Sequence, residues 1–190
     1  EFIIVNDGST DKSIDILKEY QKKDKRVLII NQKNKGLTKS LNIAIKLSSG
    51  SIIARQDADD ISLIYRFEKQ VYFINEKKYD LCCSRTILLP EKRISPILSY
   101  YLPTRILIYF KNPFIHGTFM IKRSGLQRVN CYDETFYFAQ DFKLIHDFYK
   151  NNLKIKYLKE PLYVSRKPTS SISVLKKKDQ NLSAKRLTII

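Results

Sequence analysis

The stretch FIIVNDGSTD at residues 2–11 joins a short apolar run to a cluster of turn-forming and helix-capping residues. The apolar part has the length and composition of a buried β-strand, and the polar part has the residue types that open a helix. Residues 12–25 then repeat apolar side chains at helical spacing among lysines and acids. The opening of the chain therefore predicts a strand that runs directly into a helix.

The same alternation continues to residue 55. The sequence predicts a second strand at residues 27–30, a turn at 31–36, a helix at 37–47 and a third strand at 51–55. Alternation of this kind favours parallel strands joined by right-handed crossovers, which is the α/β class. In such sheets, ligands bind beyond the carboxyl ends of the strands.

The rest of the chain is less regular. It predicts helices and strands in the following order: a helix at 66–76, a strand at 80–89, a strand at 115–122, a helix at 140–151 and a strand at 155–164. At 190 residues and 43% hydrophobic content, the chain is expected to form one domain.

Composition limits the partners without choosing among them. A net charge of +16 fits an anionic partner, such as a nucleotide diphosphate, nucleic acid or the anionic face of a membrane. No apolar run reaches the length of a membrane-spanning helix. The three cysteines, Cys82, Cys83 and Cys131, lack the spacing of a metal site, and reduced thiols in a cytosolic protein are expected.

Two carboxylates, Asp57 and Asp59, directly follow the third predicted strand within the sequence DADD. Carboxylates flanking one residue at a strand end suit a hard cation, Mg²⁺ or Mn²⁺, that is shared with phosphate oxygens. The alternative is an ordinary solvated turn. Asp7 and Asp141 also have ordinary explanations, because Asp7 lies in a loop before a helix and Asp141 lies at a helix N-terminus.

Taken together and in this order, the segments resemble the inverting, metal-dependent glycosyltransferases of family 2, which have the GT-A fold. The matching stretches are residues 5–11, 34–37 with Asn42, 54–60, 66–70, 112–116, 132–134 and 139–141. The resemblance implies a GT-A-like (Rossmann-like) three-layer α/β/α sandwich with a mostly parallel central sheet. It also implies one domain over residues 1–190, with a nucleotide-sugar-binding half at 1–80 and an acceptor-side half at 81–190.

The resemblance also implies a role for each acidic residue. Asp7 matches the carboxylate that contacts the nucleotide base, most often uracil, and Asp57 matches the one near the ribose and the water shell of the metal. Asp59 matches the ligand of Mg²⁺ or Mn²⁺, and Asp141 matches the general base. The implied reaction is inverting transfer of a sugar from a nucleotide-sugar donor, with UDP-sugar expected, to a saccharide or lipid-linked acceptor.

The implied setting is bacterial surface-polysaccharide synthesis. The protein is then expected in the cytoplasm, and the excess of lysine suggests peripheral contact with the anionic inner face of the plasma membrane. No nucleic-acid partner is expected, because the lysines are scattered over separate polar segments.

Members of the family usually begin with a further strand and helix, which this sequence does not contain. We therefore expect an N-terminally truncated chain whose absent strand belongs in the middle of the sheet. The alternatives are a catalytically inactive glycosyltransferase-like domain, a nucleotidyltransferase with a similar three-layer fold and a basic nucleic-acid-binding module. His116 stays open between a structural and a functional role.

Overall fold

The computed structural model describes residues 1–97, 101–108 and 112–166 of the chain. Its elements are, in chain order, β1 (Phe2–Asp7), α1 (Ser13–Lys23), β2 (Val27–Gln32), α2 (Leu37–Leu47), β3 (Ile52–Ala54), β4 (Ile61–Ser62), α3 (Arg66–Asn75), β5 (Leu81–Leu89), β6 (Arg93–Ser95), α4 (Thr104–Leu107), β7 (Met120–Lys122), α5 (Arg123–Arg128), α6 (Gln140–Lys150) and β8 (Ile155–Arg166). The strand–helix alternation predicted for the first 55 residues is confirmed.

Two groups of strands form the sheet layer. β1 and β2 pair in parallel over six residues each. The larger group has the order β3-β7-β5-β8-β4, with β6 paired to β5. The two longest ladders, β1–β2 and β5–β8, are parallel, as expected, whereas the shorter pairings of β3, β4, β6 and β7 are antiparallel.

The third strand lies elsewhere than the alternation predicted. β3 pairs antiparallel with β7, and within the described ranges no ladder joins it to β1 or β2. The start of β1 nevertheless adjoins the approach to β3, because a carboxylate oxygen of Glu1 accepts hydrogen bonds from the backbone N–H groups of Ser49 and Gly50.

Helices cover both faces of the larger sheet. Neighbouring residues on β5 and β7 alternate between two core clusters, since side chains of successive residues in a strand point to opposite faces. Leu81 and Ile121 belong to the cluster that contains Phe148 of α6, whereas Cys82 and Met120 belong to the cluster that contains Ile74 of α3. The sheet therefore lies between α3 and α6, which gives the expected three layers.

The strand predicted at residues 115–122 is only partly formed. Residues His116–Thr118 form a 3-10 turn, and the strand is limited to β7. The hydroxyl of Thr118 closes this turn by donating to the carbonyl of Ile115 at 2.7 Å. The segment predicted as one strand thus contains a turn, which brings the backbone of Gly117 against the loop after β3.

Over the described ranges, no helix is both long enough and apolar enough to span a bilayer. Cys82, Cys83 and Cys131 are free thiols, as expected. The assignment of separate donor and acceptor halves at residues 1–80 and 81–190 stays a prediction.

Candidate active site

The side chain of Asp57 is held by an arginine two residues earlier in the chain. Arg55 Nη1 donates to Asp57 Oδ2 at 2.6 Å, and Nη2 donates to the other carboxylate oxygen. The Arg55 side chain is only 9% exposed, whereas the Asp57 side chain is 34% exposed. The backbone N–H of Asp57 also donates to the Tyr163 hydroxyl at 3.0 Å. Both the backbone and the carboxylate of Asp57 are therefore fixed.

A second arginine, Arg66, holds the loop that follows β3 through its hydrogen bonds. Its side chain is fully buried, and its guanidinium lies 5.0 Å from the ring centre of Tyr163. Burial lowers the pKa of Arg66 to about 10, so the group stays charged at neutral pH. Its N–H groups donate to Ser62 Oγ, Gln56 Oε1, Gln70 Oε1 and the carbonyls of Arg55 and Phe119.

The remaining acidic residues of the loop differ from Asp57. Asp59 is exposed, and it forms no side-chain hydrogen bond or ion pair within the described ranges. Asp60 accepts a hydrogen bond from the backbone N–H of Arg166 at 2.8 Å. Burial raises the pKa of Asp60, and the nearby charges of Asp57 and Asp59 raise it further, although the bond from Arg166 opposes the shift.

The donor atoms of the loop after β3 determine whether it can bind a divalent cation. Within the described part of the chain, no group of three or more His, Cys, Asp or Glu side chains is arranged to hold a metal ion. Asp59 offers a free carboxylate, and the oxygens of Asp57 are already engaged by Arg55. Such a donor set fits Mg²⁺ or Mn²⁺ only where phosphate oxygens and water complete the shell, which is the usual behaviour of Mg²⁺ in phosphate-binding sites.

Asp7, at the end of β1, holds the loop between β2 and α2. Its carboxylate accepts hydrogen bonds from Gln32 Nε2 at 2.7 Å and from the backbone N–H groups of Lys35 and Gly36 at 2.9 Å each. Burial pushes the pKa of Asp7 upward, but these hydrogen bonds outweigh it and leave the pKa below its ordinary value. Asp7 is therefore an ionised anchor for this loop at neutral pH.

Asp141 is the second residue of α6, and the residue before the helix, Ala139, has the left-handed φ of 59°. Asn112 Nδ2 donates to Asp141 Oδ2 at 2.6 Å. Burial raises the pKa of Asp141, while the backbone N–H of Phe142, the charge of Arg55 and the bond from Asn112 each oppose that shift. A carboxylate with a raised pKa at a helix start is suited to accept a proton.

His116 and Tyr132 form a buried pair beside these carboxylates. His116 Nε2 and the Tyr132 hydroxyl are 2.8 Å apart. Burial and the positive charge of Arg55 hold the pKa of His116 well below its ordinary value, so the imidazole is neutral. Asn42 fixes the tyrosine from α2, because its amide exchanges two hydrogen bonds with the backbone of Tyr132.

Gly117 allows the 3-10 turn to approach the loop after β3, which contains Asp57. A Cβ at this position would lie 2.7 Å from the Tyr163 hydroxyl and 2.9 Å from Asp57 Oδ2. Those distances are shorter than van der Waals contact, so a side chain at residue 117 would displace Asp57 or Tyr163.

Arg55 connects two of the four predicted site residues. Its charge acts on Asp57, on Asp141 and on the buried pair of His116 and Tyr132. Asp57 and Asp141, which are 84 positions apart in sequence, are thus both influenced by one cation. The other two predicted residues lie outside this cluster: Asp7 holds the neighbouring loop, and Asp59 is exposed.

Sequence reasoning missed Arg55, although a signal was present. Alternate residues of an extended segment point to the same side, so the spacing of Arg55 and Asp57 is that of two residues on one face of the strand and its extension. Asn112 lay in a matching stretch without an assigned role. Tyr132 also lay in a matching stretch without an assigned role. Tyr132 and Tyr163 make their contacts with the site across the fold.

The family description "Glycosyl transferase family 2" matches residues 1–142. The match covers well over half of the chain, and the chain belongs to glycosyltransferase family 2. An uncharacterised glycosyltransferase of Methanocaldococcus jannaschii, MJ1057, is 32% identical over 189 residues, covering 95% of this chain and 65% of the relative. The O-antigen biosynthesis glycosyltransferase WbnJ of Escherichia coli is 32% identical over 133 residues, covering 68% of this chain and 52% of the relative.

Solved structures match over most of this chain. TarS of Staphylococcus aureus, in complex with UDP-GlcNAc, has a TM-score of 0.73 and 23% identity, covering 90% of this chain and 50% of TarS residues 1–349. The mannosyltransferase PcManGT of Pyrobaculum calidifontis, in complex with GDP-Man and Mn²⁺, has a TM-score of 0.75 and 14% identity, covering all of this chain and 55% of the other. These likenesses confirm the GT-A fold. The chain spans between half and two thirds of the length of the two relatives.

Proposed function

We propose that the chain carries the catalytic site of an inverting glycosyltransferase that uses a nucleotide-sugar donor and a divalent cation. The observation that supports this most directly is that Arg55 is hydrogen-bonded to Asp57 and that its charge also acts on Asp141. A donor-binding carboxylate and a proton acceptor must lie close together, because the acceptor hydroxyl attacks the carbon from which the diphosphate departs. The match to family 2 supports the same reaction.

In the proposed reaction, the acceptor hydroxyl oxygen forms a bond to the anomeric carbon of the donor sugar. Asp141 takes the proton of that hydroxyl, and the bond between the anomeric carbon and the phosphate oxygen breaks with its electrons leaving on the diphosphate. One displacement inverts the anomeric configuration. The raised pKa of Asp141 supports its role as the base, since a more basic carboxylate accepts the proton more readily.

The donor side of the site is proposed to use Asp7, Asp57 and Asp59. Asp7, whose carboxylate holds the loop between β2 and α2, is proposed to contact the base of the nucleotide. Asp57, which Arg55 holds in place, is proposed to lie near the ribose and the water shell of the cation. Asp59 is the proposed protein ligand of Mg²⁺ or Mn²⁺, because its carboxylate is exposed and unengaged within the described ranges. The bound cation supplies positive charge for the departing diphosphate. The complexes of TarS with UDP-GlcNAc and of PcManGT with GDP-Man and Mn²⁺ support this class of ligand.

The proposed acceptor is a saccharide or a lipid-linked saccharide in surface-polysaccharide synthesis, which the name of the E. coli relative supports. The charge of +16 supports a cytoplasmic protein that contacts the anionic inner face of the plasma membrane. Sedimentation of the protein with vesicles of phosphatidylglycerol, but not with neutral vesicles, tests the membrane contact. Absence of binding at low salt removes that part of the proposal.

Calorimetric titration with UDP, in the presence and absence of Mn²⁺, tests the donor site. We expect binding that requires the metal, and Asp59→Asn is expected to abolish the metal dependence. Glu160→Gln is a matched control, because Glu160 is an exposed carboxylate that pairs with Lys69 on the surface. Failure of the full-length protein to bind either UDP or GDP with Mn²⁺ contradicts the proposed function.

A further inference from the structure

The ion pair of Arg55 and Asp57 has a consequence for how the donor site carries its charge. We propose that Arg55 is a positioning residue that fixes the Asp57 carboxylate and cancels its charge, so that Asp59, and not Asp57, presents an uncompensated carboxylate to the divalent cation. This inference rests on the proposed function, because it assigns separate roles to two carboxylates of the same donor site.

The geometry of the pair supports the positioning role. Both terminal nitrogens of Arg55 donate to the two oxygens of Asp57. A two-pronged contact of this kind fixes the plane of the carboxylate as well as its position. Since each carboxylate oxygen has a further lone pair, Asp57 keeps the capacity to accept a hydrogen bond from a ligand.

Arg55 is itself rigidly held. Its backbone N–H donates to the carbonyl of Phe119 at 2.9 Å, and its carbonyl accepts from Arg66 Nη2 at 2.7 Å. The side chain is 9% exposed and lies near the buried pair of His116 and Tyr132. A mobile surface pair would have to be ordered when the donor binds, whereas this pair is ordered by the protein beforehand.

The Nε atom of Arg55 shows that the guanidinium is oriented for Asp57. This nitrogen is buried and has no hydrogen-bond partner within the described ranges. Buried donors are normally paired, and an unpaired one has an energetic cost. The arginine is thus held in an orientation that satisfies Asp57 with both terminal nitrogens and leaves its own third donor site unused.

The ion pair also determines how strongly Asp57 and Asp59 each attract a cation. A carboxylate in contact with a guanidinium attracts a cation weakly, because attraction from one charge and repulsion from the other nearly cancel. Asp59 has no such partner within the described ranges and lies at the exposed end of the same loop. The two aspartates therefore act differently, since Asp57 provides a fixed hydrogen-bond acceptor and Asp59 provides the charge.

Mn²⁺-dependent UDP binding by three variants of the full-length protein tests this division. Asp57→Asn removes the negative charge of Asp57 and leaves the Arg55 cation unpaired near the proposed metal site. We therefore expect UDP affinity to fall by about tenfold or more. Adding Arg55→Met to that variant removes the unpaired cation. The double variant is therefore expected to bind Mn²⁺ and UDP at least about threefold more tightly than Asp57→Asn alone.

The third variant, Arg55→Lys, keeps the charge but loses the two-pronged contact. We expect its UDP affinity to stay within about threefold of the wild type while the turnover number falls by about tenfold or more. A residue with only a structural role would instead lower the active fraction, which thermal unfolding detects as a lower midpoint.

The outcomes separate the two proposals. Absence of metal-dependent nucleotide binding by the wild type contradicts the proposed function itself. With a wild type that binds, a double variant no better than Asp57→Asn overturns the role of Arg55. If Asp57→Asn fails to fold, Arg55→Lys decides: an unchanged turnover number overturns the inference, and a selective loss of turnover supports it.

Discussion

Asn112 Nδ2 lies 2.6 Å from Asp141 Oδ2 and ties the segment before the 3-10 turn to the first turn of α6. The same asparagine accepts a hydrogen bond from the backbone N–H of Phe114 at 3.0 Å, so its own orientation is fixed. One oxygen of the proposed base is therefore held from a separate part of the chain. The hydrogen bond from Asn112 thus orients the Asp141 carboxylate, and the start of α6 positions its backbone.

Replacement of the proposed base separates binding from chemistry. Asp141→Asn keeps the shape of the side chain but removes the proton acceptor, so we expect sugar transfer to fall by about 10²- to 10⁴-fold. Calorimetric affinity for UDP with Mn²⁺ is expected to stay within about twofold, because the base does not hold the donor. Asp147→Asn is a control on the same helix, where Asp147 pairs with Lys143. Transfer that survives in Asp141→Asn would identify another residue as the base.

The bond from Asn112 predicts a pH effect with a definite sign. The base acts when deprotonated, so transfer is lost as the pH falls through the pKa of Asp141. The Asn112 bond and the charge of Arg55 lower that pKa against the effect of burial, while the neighbouring Tyr132 is neutral. Asn112→Ala removes one lowering contact, and the acidic limb of the turnover profile is expected to move to higher pH.

A second variant strengthens this test. Asn112→Asp places a carboxylate beside Asp141, and repulsion between like charges is expected to move the limb further in the same direction. Turnover profiles at saturating donor and acceptor measure both shifts. A limb that stays at the wild-type position in both variants shows that Asn112 does not act on the titrating group.

Part of the site followed from the sequence because its signals are local. The carboxylates Asp57 and Asp59 follow a strand that alternation predicted, and Asp7 ends another. The role of Arg55 also had a local basis in its spacing from Asp57. By contrast, the partner of Asp141 lies 29 positions away, and no periodicity connects the two.

Strand pairing in the sheet was likewise only partly predictable from local sequence. Strand–helix alternation located β1, β2 and β3 correctly but assigned all three to one parallel arrangement. β3 pairs instead with β7, which lies about 70 residues later, because hydrogen-bond partners are chosen by the whole fold. The prediction of one strand over residues 115–122 was only partly right for a related reason. Distant residues hold the turn at its centre, because Gln70 Nε2 donates to the Thr118 carbonyl at 2.8 Å and the backbone N–H of Ser84 donates to the Thr118 hydroxyl at 3.2 Å.

The close approach at Gly117 predicts a sharp effect from one methyl group. Gly117→Ala places a carbon 2.9 Å from Asp57 Oδ2 and 2.7 Å from the Tyr163 hydroxyl, so either the turn or the Arg55–Asp57 pair must shift. We expect UDP affinity with Mn²⁺ to fall by about tenfold or more, because Asp57, a carboxylate proposed to bind the nucleotide-sugar, is displaced. Gly125→Ala is the matched control, since its nearest atoms, in Phe148, are 3.4 Å from the added carbon. Equal nucleotide affinity in both variants would contradict this role.

The buried Arg66 predicts a loss of stability rather than a loss of chemistry alone. Arg66→Met fills much of the same volume but leaves Gln70 Oε1 and the carbonyl of Arg55 without the donor that Arg66 provides. Unpaired buried polar groups cost about 1–3 kcal/mol each, so we expect the free energy of unfolding to fall by about 3–5 kcal/mol. Urea denaturation followed by circular dichroism measures this change. Arg26→Met removes an exposed arginine that pairs with Asp24, and its denaturation midpoint is expected to match the wild type. A similar midpoint for Arg66→Met would show that the loop after β3 does not depend on the buried cation, and that other contacts hold Asp57 in place.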